Sequence, residues 1–308
     1  MSATVGRPEV FIATLVAKDR LDAGDISAAC DAVRGTAGAV VDGVACDVRF
    51  LCSGEGRSPD DATDVHGSKA PASAGARAAL EAALPHLDII IQREPDRHRK
   101  LLIADMDSTM ITVECIDELA DYVGLKAQVS DVTERAMRGE LDFAEALGSR
   151  VALLAGLSEA TVAECLRERV KLMGGAVDLI TAFKAAGGRA VLVSGGFTHF
   201  TDSVAQQIGF DRAIANHLVV QDGKLTGEVE FPIVDAQTKR ETLLAEATAL
   251  GIPINATLAI GDGANDIPMI EAAGLGIAYH AKPKTEAAAD ASVRFGDLNV
   301  VRYALGLD

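Results

Sequence analysis

The sequence is poor in positive charge. Its 308 residues include 29 lysines and arginines against 45 aspartates and glutamates, which gives a formal net charge of −16. Binding along a nucleic-acid backbone requires clustered Lys and Arg that displace counterions. We therefore expect no nucleic-acid partner, whereas a small anionic ligand can bind wherever a few cations converge.

Cysteines and long apolar runs are also scarce. The five cysteines are odd in number and show no CxxC spacing, which argues against a disulfide framework and a zinc knuckle. No uninterrupted apolar run approaches the ~18 residues that indicate a membrane span, and the first residues lack the basic and apolar parts of a secretory signal. We expect reduced thiols, no membrane partner and a cytoplasmic location.

The first 92 residues predict strands and helices in the order βαββαβ. They include a helix candidate at 25–34, a turn signal at Asp42-Gly43 and, later, the helix "ARAALEAAL" and the strand "LDIII". This order is the ferredoxin-like plan, and its pattern resembles the ACT-type domains that sense small molecules. An amino-acid effector at this domain and a homodimer fit that resemblance, and a docking module that binds nothing is the alternative. A polar insert at 53–75 departs from the plan.

A polar, proline-containing stretch at 93–100 predicts a linker between two domains, 1–92 and 101–308. In the second domain strands alternate with helices, which indicates an α/β fold with a doubly wound parallel sheet. Consecutive amphipathic helices within about 111–178 predict a helical cap inserted after the first strand of this sheet. Farther on, "NHLVVQDGKLTGEV" predicts a β-hairpin.

Two aspartates follow the first strand of the second domain, in "LLIADMD". On a strand, residues i and i+2 face the same side, so Asp105 and Asp107 would repel each other unless a cation or a proton lies between them. The pair predicts a nucleophile with an acid–base partner, or a metal site. Taken alone, Asp-x-Asp suits a structural turn or cap equally well.

Two further strand-like runs, "RAVLVSGG" and "ATLAIGDGAND", also end in small or polar residues. In a doubly wound sheet, ligands bind outside the carboxyl ends of the strands, so we expect the three ends to meet. Ser194 and the Gly195 backbone suit a phosphate group. Asp262, Asn265 and Asp266 offer oxygens at a spacing that suits Mg²⁺.

Lys239, at a predicted helix start, adds a cation that can neutralise phosphate charge. Each feature alone also suits a turn or a solvated surface residue, but their joint order on strand ends and helix starts favours one site. A serine hydrolase is disfavoured because Leu192 stands where GxSxG requires glycine. The P-loop motif GxxxxGK[ST] is absent.

The order DxDST, Ser-Gly-Gly, Lys and GDGAND resembles the haloacid dehalogenase (HAD) superfamily of aspartate-nucleophile phosphatases. Within it, "DMDSTMITVECIDELA", "DFAEALGSRVALLAGL", "VSGGF" and "IGDGANDIPMI" are similar to the phosphoserine phosphatase family, from Leu101 to the C-terminus. The resemblance implies hydrolysis of O-phospho-L-serine to L-serine and phosphate, the last step of serine biosynthesis, through an aspartyl-phosphate. The alternatives are a phosphatase or phosphotransferase acting on another small phosphomonoester such as phosphohomoserine, and a non-catalytic amino-acid-binding regulatory protein.

The resemblance also implies a role for each matching residue. Asp105 attacks phosphorus, and Asp107 protonates the leaving oxygen and then activates water. The Asp105 carboxylate, the Asp107 main-chain carbonyl and the Asp262 carboxylate hold Mg²⁺, with Asp266 supporting the metal's outer shell. The implied substrate-binding residues are Glu114, Arg150, Ser194, Gly195, Lys239 and Asn265. Among these, Glu114 meets the substrate ammonium and Arg150 its carboxylate.

Overall fold

The computed structural model describes residues 9–41, 43–52, 71–137 and 141–307. Over these residues it contains an antiparallel sheet with two helices, followed by a parallel sheet with helices on both faces. This confirms the α/β class predicted from the sequence. Within the described ranges, no helix combines the length and the apolar character needed to cross a membrane. No disulfide joins any of the five cysteines in the structure.

The N-terminal unit has the predicted order βαββαβ. Its elements are β1 (Glu9–Val16), α1 (Ala23–Val33), β2 (Thr36–Val41), β3 (Ala45–Cys52), α2 (Pro71–Ala83) and β4 (Asp88–Arg93). The strands pair antiparallel in the order β2-β3-β1-β4, which is the ferredoxin-like arrangement. The two helices cover one sheet face around Phe11, Val48 and Leu80. Asp42 of the predicted turn and residues 53–70 of the polar insert lie outside the described residues.

The second unit is built on a parallel sheet in the order β12-β11-β10-β5-β6-β7. The strands of this unit are β5 (Leu101–Ala104), β6 (Arg189–Phe197), β7 (Arg212–Asn216), the hairpin strands β8 (Leu218–Gln221) and β9 (Lys224–Val229), β10 (Thr257–Gly261), β11 (Leu275–Tyr279) and β12 (Ala291–Val293). Strand β5 is buried on both faces: Leu102 and Ala104 face one core, Leu101 and Ile103 the other. Strands β6 and β10 flank it on opposite sides, so its carboxyl end lies at the switch point where ligands bind.

Helices cover both faces of this sheet and form the cap. The cap helices are α3 (Cys115–Tyr122), α4 (Lys126–Met137), α5 (Phe143–Ala152) and α6 (Glu159–Arg169); the sheet helices are α7 (Ala176–Ala185), α8 (Thr198–Ile208), α9 (Ala236–Leu250), α10 (Ile267–Ala272), α11 (Pro283–Ala288) and α12 (Asn299–Ala304). The predicted cap between β5 and β6 is confirmed, although residues 138–140 of the predicted range lie outside the described residues. A capping box starts α5: the Asp142 carboxylate accepts from the Glu145 N–H (2.8 Å), and the Glu145 carboxylate accepts from the Asp142 N–H (3.1 Å).

The hairpin of β8 and β9 joins the sheet unit to the cap. Its turn is the predicted Asp222-Gly223 pair, and both residues have the positive φ that this tight turn requires (53° and 72°). The Leu225 carbonyl accepts from the N–H of Gly156, and the Leu225 N–H donates to the carbonyl of Leu157, both at 2.8 Å. The hairpin is therefore hydrogen-bonded to the loop after α5, the helix that carries Arg150.

The two units share an interface. Val16, Ala45 and Ile90 from the N-terminal sheet belong to the same hydrophobic cluster as Val300 and Ala304 of α12. The stretch 93–100, predicted as a linker, contributes a short 3₁₀ turn and then ion pairs and hydrogen bonds to both sides. Apolar burial across the interface favours the joined arrangement over separated units.

Candidate active site

The carboxyl ends of β5, β6 and β10 meet, as predicted. Asp105, directly after β5, is 4% exposed, and its N–H donates to a backbone carbonyl of β10 (3.0 Å). The Thr109 hydroxyl donates to Oδ1 of Asp262, just after β10 (3.2 Å). On the β6 side, a Cβ on Gly196 would stand only 2.9 Å from Oδ2 of Asp107. The approach of these loops therefore favours glycine at position 196.

The ammonium of Lys239 lies at the centre of the site. Lys239 is fully buried in the first turns of α9, and its Nζ lies 2.7 Å from Oδ1 of Asp105 and 2.7 Å from Oδ1 of Asp266. Burial alone would lower the pKa of Lys239, but the two carboxylates outweigh it and raise that pKa above its ordinary value. Lys239 is therefore a buried cation held between two carboxylates.

The polar contacts of Asp105 offset only part of the cost of burying its negative charge. Its Oδ1 accepts from the Met106 N–H (2.8 Å) in addition to its contact with Lys239. Burial raises the pKa of Asp105 well above its usual range, the charge of Asp266 adds to the rise, and Lys239 opposes it. A further cation beside Asp105 would stabilise its ionised form.

The surroundings of Asp107 suit proton transfer. Its side chain is half-buried, and Oδ1 accepts from the N–H of Cys115 at the start of α3 (3.1 Å). Burial raises the pKa of Asp107 to about 7, and the nearby carboxylate of Glu114 adds to the rise. A carboxyl group with a pKa near neutrality can both give and take a proton at physiological pH.

The last residues of β6, 194–197, interrupt its regular pairing with β7 and present a hydroxyl and backbone groups; we call them the β6 loop. Ser194 is fully buried, and its Oγ accepts a hydrogen bond from the N–H of Gly196 (2.9 Å). A Cβ on Gly195 would lie 3.4 Å from the ring of Phe143, the first residue of α5. A side chain of the cap therefore packs over Gly195.

Three carboxylates form an acidic cluster. One oxygen from each of Asp105, Asp262 and Asp266 lies within 4.8 Å of the others. Burial raises the pKa of Asp262 to about 6, with further contributions from the charges of Asp266 and Glu114. Carboxylate oxygens at this spacing suit a hard divalent cation, and Lys239 offsets only part of their charge.

Asp266 is largely engaged by its own loop. Its Oδ2 accepts from the N–H groups of Asp262 (3.1 Å) and Gly263 (3.0 Å), while its Oδ1 faces Lys239. Asn265 is half-buried in the same 3₁₀ turn, with its side chain against Gly263. This arrangement fits a supporting place for Asp266 behind the residues that face a ligand.

The cap brings one negatively charged and one positively charged side chain toward Asp107. Glu114, exposed at the N-terminus of α3, accepts a hydrogen bond from the Ser108 hydroxyl (2.6 Å). Arg150 on α5 is half-buried, and its Nε donates to a backbone carbonyl of its own helix (3.3 Å). Burial lowers the pKa of Arg150, whereas the carboxylates of Asp117, Glu114 and Asp107 act to raise it, which places its charge within their reach.

Comparison with known proteins identifies the family. Residues 102–271 match the family described as haloacid dehalogenase-like hydrolase. The chain belongs to this family. It is 48% identical over 205 residues to the phosphoserine phosphatase of Albidiferax ferrireducens, covering 65% of this chain and 86% of that protein. It is 46% identical over 212 residues to the phosphoserine phosphatase of Vibrio cholerae, covering 68% of this chain and 64% of that protein.

Solved structures extend the similarity of this HAD-like hydrolase to both units. A probable phosphoserine phosphatase from Vibrio cholerae superposes with a TM-score of 0.72 at 32% identity, covering 99% of this chain and 90% of that one. A HAD family hydrolase from Salmonella enterica serovar Typhi gives 0.81 at 26% identity, covering 96% and 98%. A phospho-aspartyl intermediate analogue of a phosphoserine phosphatase gives 0.62 at 39% identity, covering 67% and 99%.

The structure of this HAD-like hydrolase also adds residues that the sequence reasoning missed. Thr109 is buried and its hydroxyl contacts Asp262. In the sequence, only its position two residues after Asp107 indicated that it lies near the site. Phe143 lies over Gly195, and nothing in an amphipathic helix distinguishes a ring that faces a ligand from one that packs in a core. The residues predicted from the three strand ends and Lys239 are brought together, and Glu114 and Arg150 approach them from the cap.

Proposed function

We propose that this HAD-like hydrolase is a Mg²⁺-dependent phosphoserine phosphatase that converts O-phospho-L-serine to L-serine and phosphate through an aspartyl-phosphate on Asp105. The observation that carries the proposal is that the cap brings an acidic and a basic side chain toward the strand ends: Glu114 is hydrogen-bonded to Ser108, and the charge of Arg150 is within reach of Glu114 and Asp107. Phosphoserine presents an ammonium and a carboxylate next to its phosphate, which these two charges match. The phosphoserine phosphatases of Albidiferax and Vibrio, at 48% and 46% identity, support it.

In the first step, the carboxylate of Asp105 attacks phosphorus. A new bond forms between an Asp105 oxygen and phosphorus while the bond from phosphorus to the serine oxygen breaks. The contacts of the Asp105 carboxylate with Lys239 and with the Met106 N–H both fall on Oδ1, so we assign the attack to Oδ2. The resulting geometry holds the nucleophile in place before the substrate arrives.

In the proposed mechanism, Asp107 donates a proton in the first step and accepts one in the second. It donates its proton to the departing serine oxygen, and its carboxylate then takes a proton from the water that attacks the aspartyl-phosphate. That second attack breaks the bond between phosphorus and Asp105 and releases phosphate. The rise of the Asp107 pKa to about 7 supports this dual role, because both protonation states are populated near neutral pH.

The residues present fit a hard divalent cation, given the acidic cluster at the strand ends. We propose that the Asp105 and Asp262 carboxylates and the Asp107 main-chain carbonyl would hold Mg²⁺, with Asp266 behind them. When bound, the cation offsets the repulsion between the attacking carboxylate and the phosphate. The Ser194 hydroxyl, the Gly195 N–H, Lys239 and Asn265 bind the phosphoryl oxygens, and such positioning and charge stabilisation supply most of the catalysis of phosphoryl transfer.

The remaining parts of the proposal concern the whole molecule. We propose an ACT-like domain at 1–92 and a phosphatase domain at 101–308, with the cap at about 111–178. Separate hydrophobic clusters in the N-terminal unit and around the parallel sheet support this division. An amino-acid effector at the first domain, a homodimer and a cytoplasmic location remain predictions.

Phosphate release from a panel of phosphomonoesters tests the function. The panel contains O-phospho-L-serine, phosphohomoserine, a sugar phosphate and p-nitrophenyl phosphate, each assayed with Mg²⁺ and after removal of divalent cations by EDTA. We expect the highest kcat/KM for O-phospho-L-serine and no turnover without added cation. A higher kcat/KM for another ester would contradict the substrate assignment, and full activity in metal-free buffer would contradict the role of Mg²⁺.

A further inference from the structure

Asn216 is a buried amide beside the site, at the last residue of β7. It is 2% exposed and lies next to the loop at the end of β6. A buried side-chain amide is costly unless its donors and acceptor find partners. The hydrogen-bond partners of Asn216 therefore indicate which segments its side chain holds together.

Within the part of the chain that the structure describes, the hydrogen bonds of this side chain go to backbone atoms of two segments. The Asn216 Nδ2 donates to the Gly195 carbonyl (2.8 Å) and to the Val234 carbonyl (3.4 Å), and its Oδ1 accepts from the Val234 N–H (2.7 Å). Because Nδ2 faces carbonyls and Oδ1 faces an N–H, the chemistry of the partners fixes the amide orientation. The side chain joins the β6 loop to the segment that enters α9.

Each of these segments carries a phosphate-binding residue of the proposed site. Gly195 follows Ser194, and Val234 precedes Asp235, whose carboxylate caps α9 by accepting from the Thr238 N–H (2.8 Å). Lys239 lies in the first turns of that helix. One buried amide thus holds together the backbone supports of the Ser194 hydroxyl and the Lys239 ammonium.

The bond to Gly195 also bears on where the Ser194 proton points. The Gly195 carbonyl belongs to the same peptide group as the Gly196 N–H, which donates to Ser194 Oγ (2.9 Å). A hydroxyl that accepts this hydrogen bond keeps its own proton for another acceptor. By holding that planar peptide in place, Asn216 restricts the directions in which the Ser194 hydroxyl can donate.

We propose that Asn216 is a positioning residue for phosphoryl binding, acting through Ser194 and the entry to α9. The proposal rests on the proposed phosphatase function, but it concerns the phosphate and not the serine part of the substrate. Loss of Asn216 should therefore weaken the handling of every phosphomonoester to a similar extent. If Asn216 served only to stabilise the fold, its substitution would lower the stability of the protein and leave the phosphate affinity of the folded enzyme unchanged.

The test compares Asn216→Asp with the matched control Gln92→Glu. Asn216→Asp keeps the shape and the acceptor for Val234 but puts an oxygen against the Gly195 carbonyl. Gln92 is also a buried amide, 4% exposed, whose Nε2 donates to a backbone carbonyl (2.7 Å), but it lies in the N-terminal sheet. Each variant is assayed with O-phospho-L-serine and p-nitrophenyl phosphate, normalised to folded protein, and its inorganic phosphate affinity is measured by calorimetry.

For Asn216→Asp we expect kcat/KM to fall by roughly 10- to 100-fold on both esters, because displacing reacting groups by up to about an ångström has an effect of this size. We also expect weaker binding of inorganic phosphate. Gln92→Glu should keep kcat/KM and phosphate affinity within about twofold of the parent, since its partners lie away from the site. Parent-like kcat/KM and phosphate affinity in folded Asn216→Asp would overturn the proposal.

A double-mutant cycle covers the case in which Asn216→Asp fails to fold. Asn216→Ala avoids the repulsion between oxygens, and it is combined with Ser194→Ala. If Asn216 acts through Ser194, the double variant loses little more phosphate affinity than Ser194→Ala alone; fully additive losses would refute that route. If the parent enzyme hydrolysed p-nitrophenyl phosphate but not O-phospho-L-serine, the proposed substrate would be refuted. The test of Asn216 would still stand, because it can be carried out with p-nitrophenyl phosphate and because calorimetry of phosphate binding needs no turnover.

Discussion

At the scale of single residues, the proposed substrate specificity depends on two charged side chains of the cap. Arg150 is half-buried, and a planar guanidinium in such a place suits bidentate binding of a carboxylate. Glu114 supplies the opposite charge at the start of α3. In the proposed function, these two groups bind the amino-acid part of the substrate, whereas the residues at the strand ends bind its phosphate.

Arg150→Ala should therefore impair phosphoserine hydrolysis selectively. Truncating one partner of a charged pair in a binding site costs roughly 2–5 kcal/mol, so we expect kcat/KM for O-phospho-L-serine to fall by a factor of tens to thousands. Hydrolysis of p-nitrophenyl phosphate, which lacks the amino-acid carboxylate, should fall much less. Arg167→Ala, an exposed arginine on α6, is the control. Equal losses on both substrates would mean that Arg150 serves the phosphate or the fold.

Residue types at strand ends were predictable, whereas side-chain contacts between distant segments were not. Asp105, Ser194 and Asp262 follow apolar runs, and the topology of a parallel sheet brings such ends together. Asn216 carries no such signal, because an asparagine after a short strand is equally typical of an exposed turn. Its partners at Gly195 and Val234 become visible only when the β6 loop and the entry to α9 lie side by side.

At the scale of elements, α9 is fixed to the sheet at both ends. Lys239 anchors its first turns in the site, and Glu246, 6% exposed in its last turns, pairs with Arg189 of β6 and Arg212 of β7, both at 2.7 Å. The hydrogen bond from Arg189 is the largest cause that lowers the pKa of Glu246, and the bond from Arg212 adds to it. The sequence predicted this helix, but its pairing with two strands depends on tertiary packing.

Glu246→Gln should destabilise the protein in a pH-dependent way. A carboxyl with a lowered folded-state pKa contributes stability that is present above its unfolded pKa of about 4.3 and is lost as the pH falls through its folded pKa. Because the arginines are partly exposed, we expect a loss of about 0.5–2 kcal/mol at pH 7. Thermal unfolding from pH 7 to pH 3.5 measures this. The difference in Tm from the parent should shrink toward the acid end; a constant difference across the range would contradict the ion-pair account.

At the scale of the whole molecule, the two units are joined by a buried carboxylate as well as by apolar packing. Asp88, 1% exposed at the start of β4, accepts from the N–H groups of Arg294 (2.6 Å), Phe295 (3.2 Å) and Gly296 (2.7 Å). The change in composition at 93–100 predicts a boundary between the two units, and this boundary stays a prediction. The composition could not predict this interface, because the contacts join positions far apart in the chain and follow no local period.

Asp88→Ala should lower the stability of the whole protein. The change leaves three backbone N–H groups without their acceptor, and each buried unsatisfied group costs about 1–3 kcal/mol. Thermal unfolding followed by circular dichroism should give a clearly lower Tm, while Asp31→Ala, an exposed aspartate on α1, should leave Tm close to that of the parent. An unchanged Tm in Asp88→Ala would show that this interface adds little to stability.

The most direct test of the account is phosphate release from O-phospho-L-serine by the parent enzyme and by Asp105→Asn, both in the presence of Mg²⁺. The amide keeps the shape of the carboxylate but cannot attack phosphorus, so we predict a folded variant, judged by circular dichroism, with turnover reduced to background. Substantial phosphoserine hydrolysis by folded Asp105→Asn would contradict the assignment of Asp105 as the nucleophile.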